Sequence, residues 1–268
     1  MADAHPASAS PDVQVAVRQL IGTLTALPEL AMRVHWLAER LEGKTDEHTA
    51  QQLDELVRCS QLPHDQAREA MLALALLLAK RHDSSWLWAL YQVAKQKHLT
   101  HLERVLRPAP TAPASLLPTE PAVPDFGQGR TLSLGERKSL ARRPTRAQLE
   151  RLLADPHPQV IAQLLQAGGL TEDDLVVMVT RRPAHGPTLE ALLDASRWIL
   201  RKRVRLCLIL NPGTPHGIAL PFVATCPRED LRLIYQTTTI GATLRAVAHE
   251  LYVRLPPLQS DVQLDGLH

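Results

Sequence analysis

From Val13 onward, apolar positions recur at helical spacing. Val13, Val17, Leu20, Ile21 and Leu24 share one face of a 3.6-residue turn and predict a helix over 13–27, after which Pro28 restarts the chain. A second helix over 29–41 runs out at Gly43, where glycine suits a helix C-terminus. Thr45 or Asp46 can cap a third, with Ala50, Leu53, Leu56 and Val57 on its inner face, and Pro63 opens a fourth that extends to about Arg81. Asp83, Ser84 and Ser85 offer N-caps for a fifth, which carries Trp86, Trp88, Leu90, Tyr91 and Val93 and continues toward Leu106. The run Ala70–Ala79 is about half of the roughly 20 apolar residues needed to cross a bilayer, so it reads as a buried helix. Behind a disordered Ala/Ser/Pro leader over 1–11, residues 12–107 are expected to form an α-helical bundle or stacked-hairpin domain.

The periodicity then stops. Pro108, Pro110, Pro113, Pro118, Pro121 and Pro124 fall within 17 residues among Ala, Thr and Ser, a composition that predicts a semi-extended linker over 108–130. Beyond it a pattern returns: Arg142-Arg143-Pro144 precedes Leu149-Glu150-Arg151-Leu152-Leu153, and 39 residues later Arg181-Arg182-Pro183 precedes Leu189-Glu190-Ala191-Leu192-Leu193. A period near 40 is the signature of a helical solenoid, whose units bury their apolar faces against one another. Two segments compete with that reading. Leu175–Val179 and Val204–Leu210 are apolar and β-branched enough to pass as buried strands.

Arg197-Trp198, Arg201, Val204-Arg205, Asn211-Pro212-Gly213-Thr214-Pro215 and Asp155-Pro156-His157-Pro158-Gln159-Val160 decide between them. Together with the opening Leu134–Pro144, this series resembles bacterial HEAT-like and leucine-rich-variant helical repeats, over residues 131–256. The resemblance implies that residues 131–256 form a C-terminal HEAT-like α-solenoid; with the N-terminal helical domain and Pro-rich linker read above and a tail over 257–268, the expected protein is all-α. It implies a binding scaffold rather than one shared chemistry. Some leucine-rich-variant proteins hold an iron–sulfur cluster on a separate set of cysteines; that set is missing here, so no cofactor carries over. Tyr235-Gln236-Thr237-Thr238-Thr239 departs from the pattern and predicts an end cap or an altered face.

Composition adds little, and its distribution adds more. The 268 residues are 45% apolar but only 3% aromatic, which favours helices over β-sandwiches or barrels, and the net charge of +2 creates no global field. Between Thr131 and Arg205, 13 Lys and Arg stand against 8 Asp and Glu, a local excess of +5. An electrostatic partner is therefore expected on this segment. Cys59, Cys207 and Cys226 are odd in number and widely spaced, and the N-terminus lacks a signal-peptide pattern; both predict a cytoplasmic protein with reduced thiols.

The densest basic stretch, Arg181–Pro215, supplies the candidate contacts. On a continuous helix over 197–210, Arg197, Arg201 and Arg205 would form one stripe at i, i+4 and i+8, with Lys202 and Arg203 beside it, Trp198 flanking it, and Arg181 and Arg182 in the preceding turn. Such guanidinium groups can bind phosphates or an acidic protein surface. They can equally pair with Glu190 and Asp194 or cap helix C-terminal carbonyls. Asn211 and Thr214 read as turn-formers and a helix cap, and Asp155 and Asp194 as caps. Trp86, Trp88 and Tyr91 could form a binding surface, since clustered aromatics are favoured in hot spots, but read first as core packing, because aromatics at helical spacing normally dock a helix. His98 and His101 have metal-ligand spacing, yet no Cys or carboxylate joins them, so no metal is expected. Cys207 with His216 and Cys226 with His249 can be drawn as nucleophile pairs, but neither carries a local motif, and no catalytic signature occurs. The expected function is a non-catalytic scaffold binding a protein partner through a helical-repeat surface. The alternative is nucleic-acid binding through the basic 137–205 segment, and an enzyme ranks third.

Overall fold

A computed structural model describes residues 9–109, 122–127 and 129–254. Every regular element among them is helical, as the repeat reading requires and the strand alternative does not. The leader before Ala9, the linker prolines at 110, 113, 118 and 121, and the tail from 255 lie outside the described residues.

The N-terminal half comprises α1 (Pro11–Ala26), α2 (Leu30–Arg40), α3 (Glu47–Ser60), α4 (Asp65–Lys80), α5 (Ser85–Gln96) and α6 (Thr100–Leu106). Side-chain caps start several of them, since the first backbone N–H groups of a helix have no intrahelical acceptor. Ser10 accepts from the Val13 N–H, Asp46 from Thr49 and Ser84 from Leu87. The fifth predicted helix is in fact two. His98 takes a left-handed backbone (φ 55), the Leu99 N–H bonds to the Ala94 carbonyl at 2.9 Å and the His98 N–H to Lys95 at 3.3 Å. This is a Schellman end, which normally uses glycine. It also removes His98 from the helix that holds His101, so the two do not form an i, i+3 pair.

In the C-terminal half the helices are shorter: α7 (Leu134–Arg142), α8 (Arg146–Leu152), α9 (Pro158–Leu164), α10 (Glu172–Thr180), α11 (Gly186–Glu190), a 3₁₀ turn over Ala191–Asp194, and α12 (Ser196–Ile199). After these come α13 (Lys202–Leu210), α14 (His216–Val223), α15 (Arg228–Gln236) and α16 (Ala242–Arg254). Ser133 with Glu136, Thr145 with Gln148, and Thr171 with Asp174 form reciprocal capping boxes at α7, α8 and α10. Leu175–Val179 and Val204–Leu210 lie within α10 and α13. Helix α7 packs on α9, α10 on α13, and α15 on α16.

The two halves share one hydrophobic core. Helix α4 lies at its centre, between α1, α2 and α3 on one side and α14 on the other. Its seven consecutive buried residues, Ala73–Ala79, follow from that position, because a helix covered on every side must be apolar on every side. Gly217 makes the approach possible: a Cβ there would lie 2.8 Å from the His82 Cβ. Lys80 reaches Asp194 at 2.6 Å, and Arg104 and Arg107 both engage Glu250 across the same seam at 2.9 and 2.7 Å. Val123 and Phe126, in the stretch read as the end of the linker, also pack on the core.

Candidate functional site

The basic side chains of this stretch lie at or near the surface, and several of them bond to other groups of the protein. Arg197–Leu210 is not one helix: Arg201 has an extended backbone (ψ 115) between α12 and α13, so Arg197, Arg201 and Arg205 do not form the expected stripe. Instead, Arg197 Nη2 donates to the carbonyls of Leu165 and Ala167 at 2.7 and 2.9 Å, and its guanidinium stacks 4.6 Å from the Trp198 ring. Trp198 Nε1 donates to the same Leu165 carbonyl at 3.0 Å, and this residue is buried at 7% exposure. A cation and two donors thus close the C-terminal end of α9, where carbonyls lack partners and the helix dipole is negative. Arg205 donates to the Ile199 carbonyl at 2.6 Å behind α12, and burial lowers its pKa.

Lys202 reaches Glu229 at 2.7 Å and Asp230 at 3.3 Å; the bond to Glu229 chiefly raises its pKa. Arg203 pairs with Asp173 on α10. Arg201, Arg181 and Arg182 are exposed, the last two on the rim of a 530 Å³ groove between α9 and α11. Asn211, 4% exposed, donates to the carbonyls of Val179 and Arg181 and accepts from the Gly213 N–H, which fixes the turn. Thr214 does not cap the next helix; its hydroxyl donates back to Leu208 O at 2.6 Å. Asp155 accepts the His157 N–H and forms a buried ion pair with Arg137.

The thiols have no activating partner in the described hydrogen bonds. Burial pushes Cys226 up to about 12 and Cys59 up to about 11, so both stay protonated at neutral pH. His249 rests edge-on against Tyr235, with centroids 5.3 Å apart. Among the described residues no group of three or more His, Cys, Asp or Glu is arranged to hold a metal ion.

A cleft of about 560 Å³ lies instead at the seam, where the end of α4, α5 and α6 face α14 and α11. Its aromatic wall is Trp88 and Tyr91, with centroids 5.7 Å apart and planes inclined by 34°. Trp88 is 57% exposed, against the expectation of core packing; it occupies the outer face of α5, while Leu90 and Ala94 face the core. Trp86 is the partly buried neighbour, donating to the Lys44 carbonyl at 2.9 Å with Arg81 over its ring. The acidic wall is Asp83 and Glu190, 3.1 and 3.8 Å from His82 Nε2, while His82 Nδ1 meets the Ala79 carbonyl at 3.0 Å. His216 Nε2 donates to the Arg107 carbonyl at 2.8 Å, and burial lowers its pKa against that bond.

The cleft therefore offers an apolar aromatic platform beside two carboxylates, which suits an extended apolar chain with a positive charge. Sequence reasoning singled out Trp88 and Tyr91 and weighed a binding surface there, but ranked it below core packing. The signal was their concentration in a chain with few aromatics; Glu190 and His216, about 100 residues away, carried none. No protein-family model, curated protein or solved structure matches the chain.

Proposed function

We propose that the protein is a non-catalytic interaction scaffold, that its C-terminal half is a HEAT-like stack, and that the seam cleft takes a proline-rich segment of a partner protein carrying Arg or Lys. The observation that carries this reading is Trp88, a large aromatic held exposed beside Tyr91 at the mouth of a cleft. Proline-rich segments dock on aromatic-lined grooves because their extended helix is preformed. Asp83 and Glu190 supply charge complementarity for the basic residue. The packing of α7 on α9, α10 on α13 and α15 on α16 supports the repeat reading. Within 181–205, Arg197, Lys202, Arg203 and Arg205 have internal partners, so Arg181, Arg182 and Arg201, with the exposed Arg142, Arg143 and Arg151 earlier in the basic segment, are what the nucleic-acid alternative would draw on.

The test is a titration of the full chain with proline-rich peptides that differ only in one Arg. Saturable binding, weakened by removal of the peptide Arg and lost in Trp88→Ala with an unchanged circular dichroism spectrum, is the expected result. Absence of binding by every peptide rejects the reading.

A further inference from the structure

A second cavity, of about 590 Å³, opens on a different part of the seam, between the α3–α4 connection and the segment joining α14 to α15. Its apolar wall comes from Met71 on α4, Leu231 on α15 and Leu251 on α16, with Pro63 and Pro227 at the two connections. The charged side chains that line it are already engaged. Lys202 is paired with Glu229 and Asp230 at 2.7 and 3.3 Å, and Arg68 with Asp65 at 3.5 Å. Arg228 donates Nη1 to the Tyr252 carbonyl at 2.6 Å and stands 4.0 Å over the Tyr252 ring. The small polar groups are engaged as well. Ser60 donates its hydroxyl to Val57 O at 2.7 Å, Thr225 to Phe222 O at 2.8 Å, and the Cys226 thiol to the same Phe222 carbonyl at 3.5 Å. Gln61 differs from all of these: its side-chain nitrogen is buried and has no hydrogen-bond partner.

We infer that this cavity is a binding site for a neutral, largely apolar small molecule carrying one carbonyl oxygen, with its apolar body against Met71, Leu231 and Leu251 and its oxygen accepting from the Gln61 side-chain nitrogen. The volume falls within the range of small-molecule sites, about 300–1,000 Å³, and apolar walls with a few polar groups are what such sites present. The charge balance selects a neutral ligand. Because the lining cations have partners, an entering carboxylate would give up its hydration without gaining a free counter-charge, whereas a neutral body gives up little. The hydrogen-bond balance selects an acceptor. A buried donor left unmade is costly, and a carbonyl oxygen removes that cost at Gln61, where a hydrocarbon would not. Gln61 and Met71 come from one half and Leu231 and Leu251 from the other, so an occupant spans the seam. Occupancy is accordingly expected to raise the unfolding temperature of the whole protein. The cavity shares no lining residue with the peptide cleft, so the two assignments stand or fall separately.

The experiment is calorimetric titration of the full-length protein at neutral pH with methyl hexyl ketone and with octanoate, each below its solubility limit. The ketone is expected to bind one to one, and octanoate about tenfold more weakly or worse. Gln61→Leu should weaken the ketone about fivefold, as expected for one neutral hydrogen bond. Ala224→Trp, which fills the cavity from the end of α14, should abolish binding, while Trp88→Ala, in the other cleft, should leave it unchanged. If Ala224→Trp fails to fold, the ketone-against-acid comparison, Gln61→Leu and Trp88→Ala still decide. No binding of the ketone, octanoate binding as tightly as the ketone, undiminished ketone binding to Gln61→Leu or to folded Ala224→Trp, or its loss in Trp88→Ala would each overturn the assignment.

Discussion

The basic stretch 181–215 and the seam cleft use polar and aromatic side chains in opposite ways. In the first, Arg197, Trp198, Arg205, Asn211 and Thr214 all donate to main-chain carbonyls left over at the ends of short helices. Helices of four to nine residues have a large fraction of such orphan groups, and side-chain donors from nearby or more distant segments satisfy them. In the second, Trp88, Asp83 and Glu190 project from helix ends whose backbone needs are already met, as at the Ser84 cap of α5. Arginines here serve the fold by bonding main-chain carbonyls even where they are exposed, while the aromatic pair faces an open cleft.

The sharpest way to break this contrast is to remove a buried charge from the C-terminal half. Asp155→Ala leaves Arg137 buried and unpaired, and a loss of about 3–5 kcal/mol is expected from urea titration. Leu78→Ala, in the middle of the shared core, should cost about 2–5 kcal/mol and destabilise both halves in one transition. Two separate transitions would contradict a common core.

Acid should act through His101, whose ring nitrogens are buried without partners. Burial first, then the positive charges of Arg104, Arg254 and Arg58, with only Glu55 opposing, lower its pKa from 6.5 to about 4. The unfolded chain therefore takes up a proton between these values while the folded one does not. Stability from this group is complete above pH 6.5 and falls as the pH drops toward 4, by on the order of 3 kcal/mol at most. His101→Leu should flatten that part of the curve, measured as urea midpoints across the window.

Two smaller effects sharpen the contrast further. His98→Gly should stabilise by about 1 kcal/mol, because glycine adopts the left-handed backbone of the α5 end without the side-chain clash. Arg203→Ala, at an exposed pair, should leave the thermal midpoint unchanged.

Much of the fold was legible in the sequence because it rests on local signals. The faces of α1 and α3, the caps at Asp46 and Ser84, and the burial of nearly all of Ala70–Ala79 follow from spacing and composition. Two breaks were not legible for a physical reason. At His98 the left-handed residue is not glycine, and at Arg201 no proline or glycine interrupts α12 and α13. The cleft was less accessible still. It depends on Glu190 and His216 meeting Trp88 and Tyr91 across the seam, a long-range contact that no periodicity encodes.

The most direct test is a single titration series with an Arg-containing proline-rich peptide on three proteins: the parent, Trp88→Ala, and the triple variant Arg181→Ala/Arg182→Ala/Arg201→Ala. With the exposed aromatic as the anchor, Trp88→Ala loses about tenfold or more in affinity and the triple variant stays within about twofold of the parent. If the triple variant loses binding and Trp88→Ala retains it, the assignment of the open surface to the cleft is wrong.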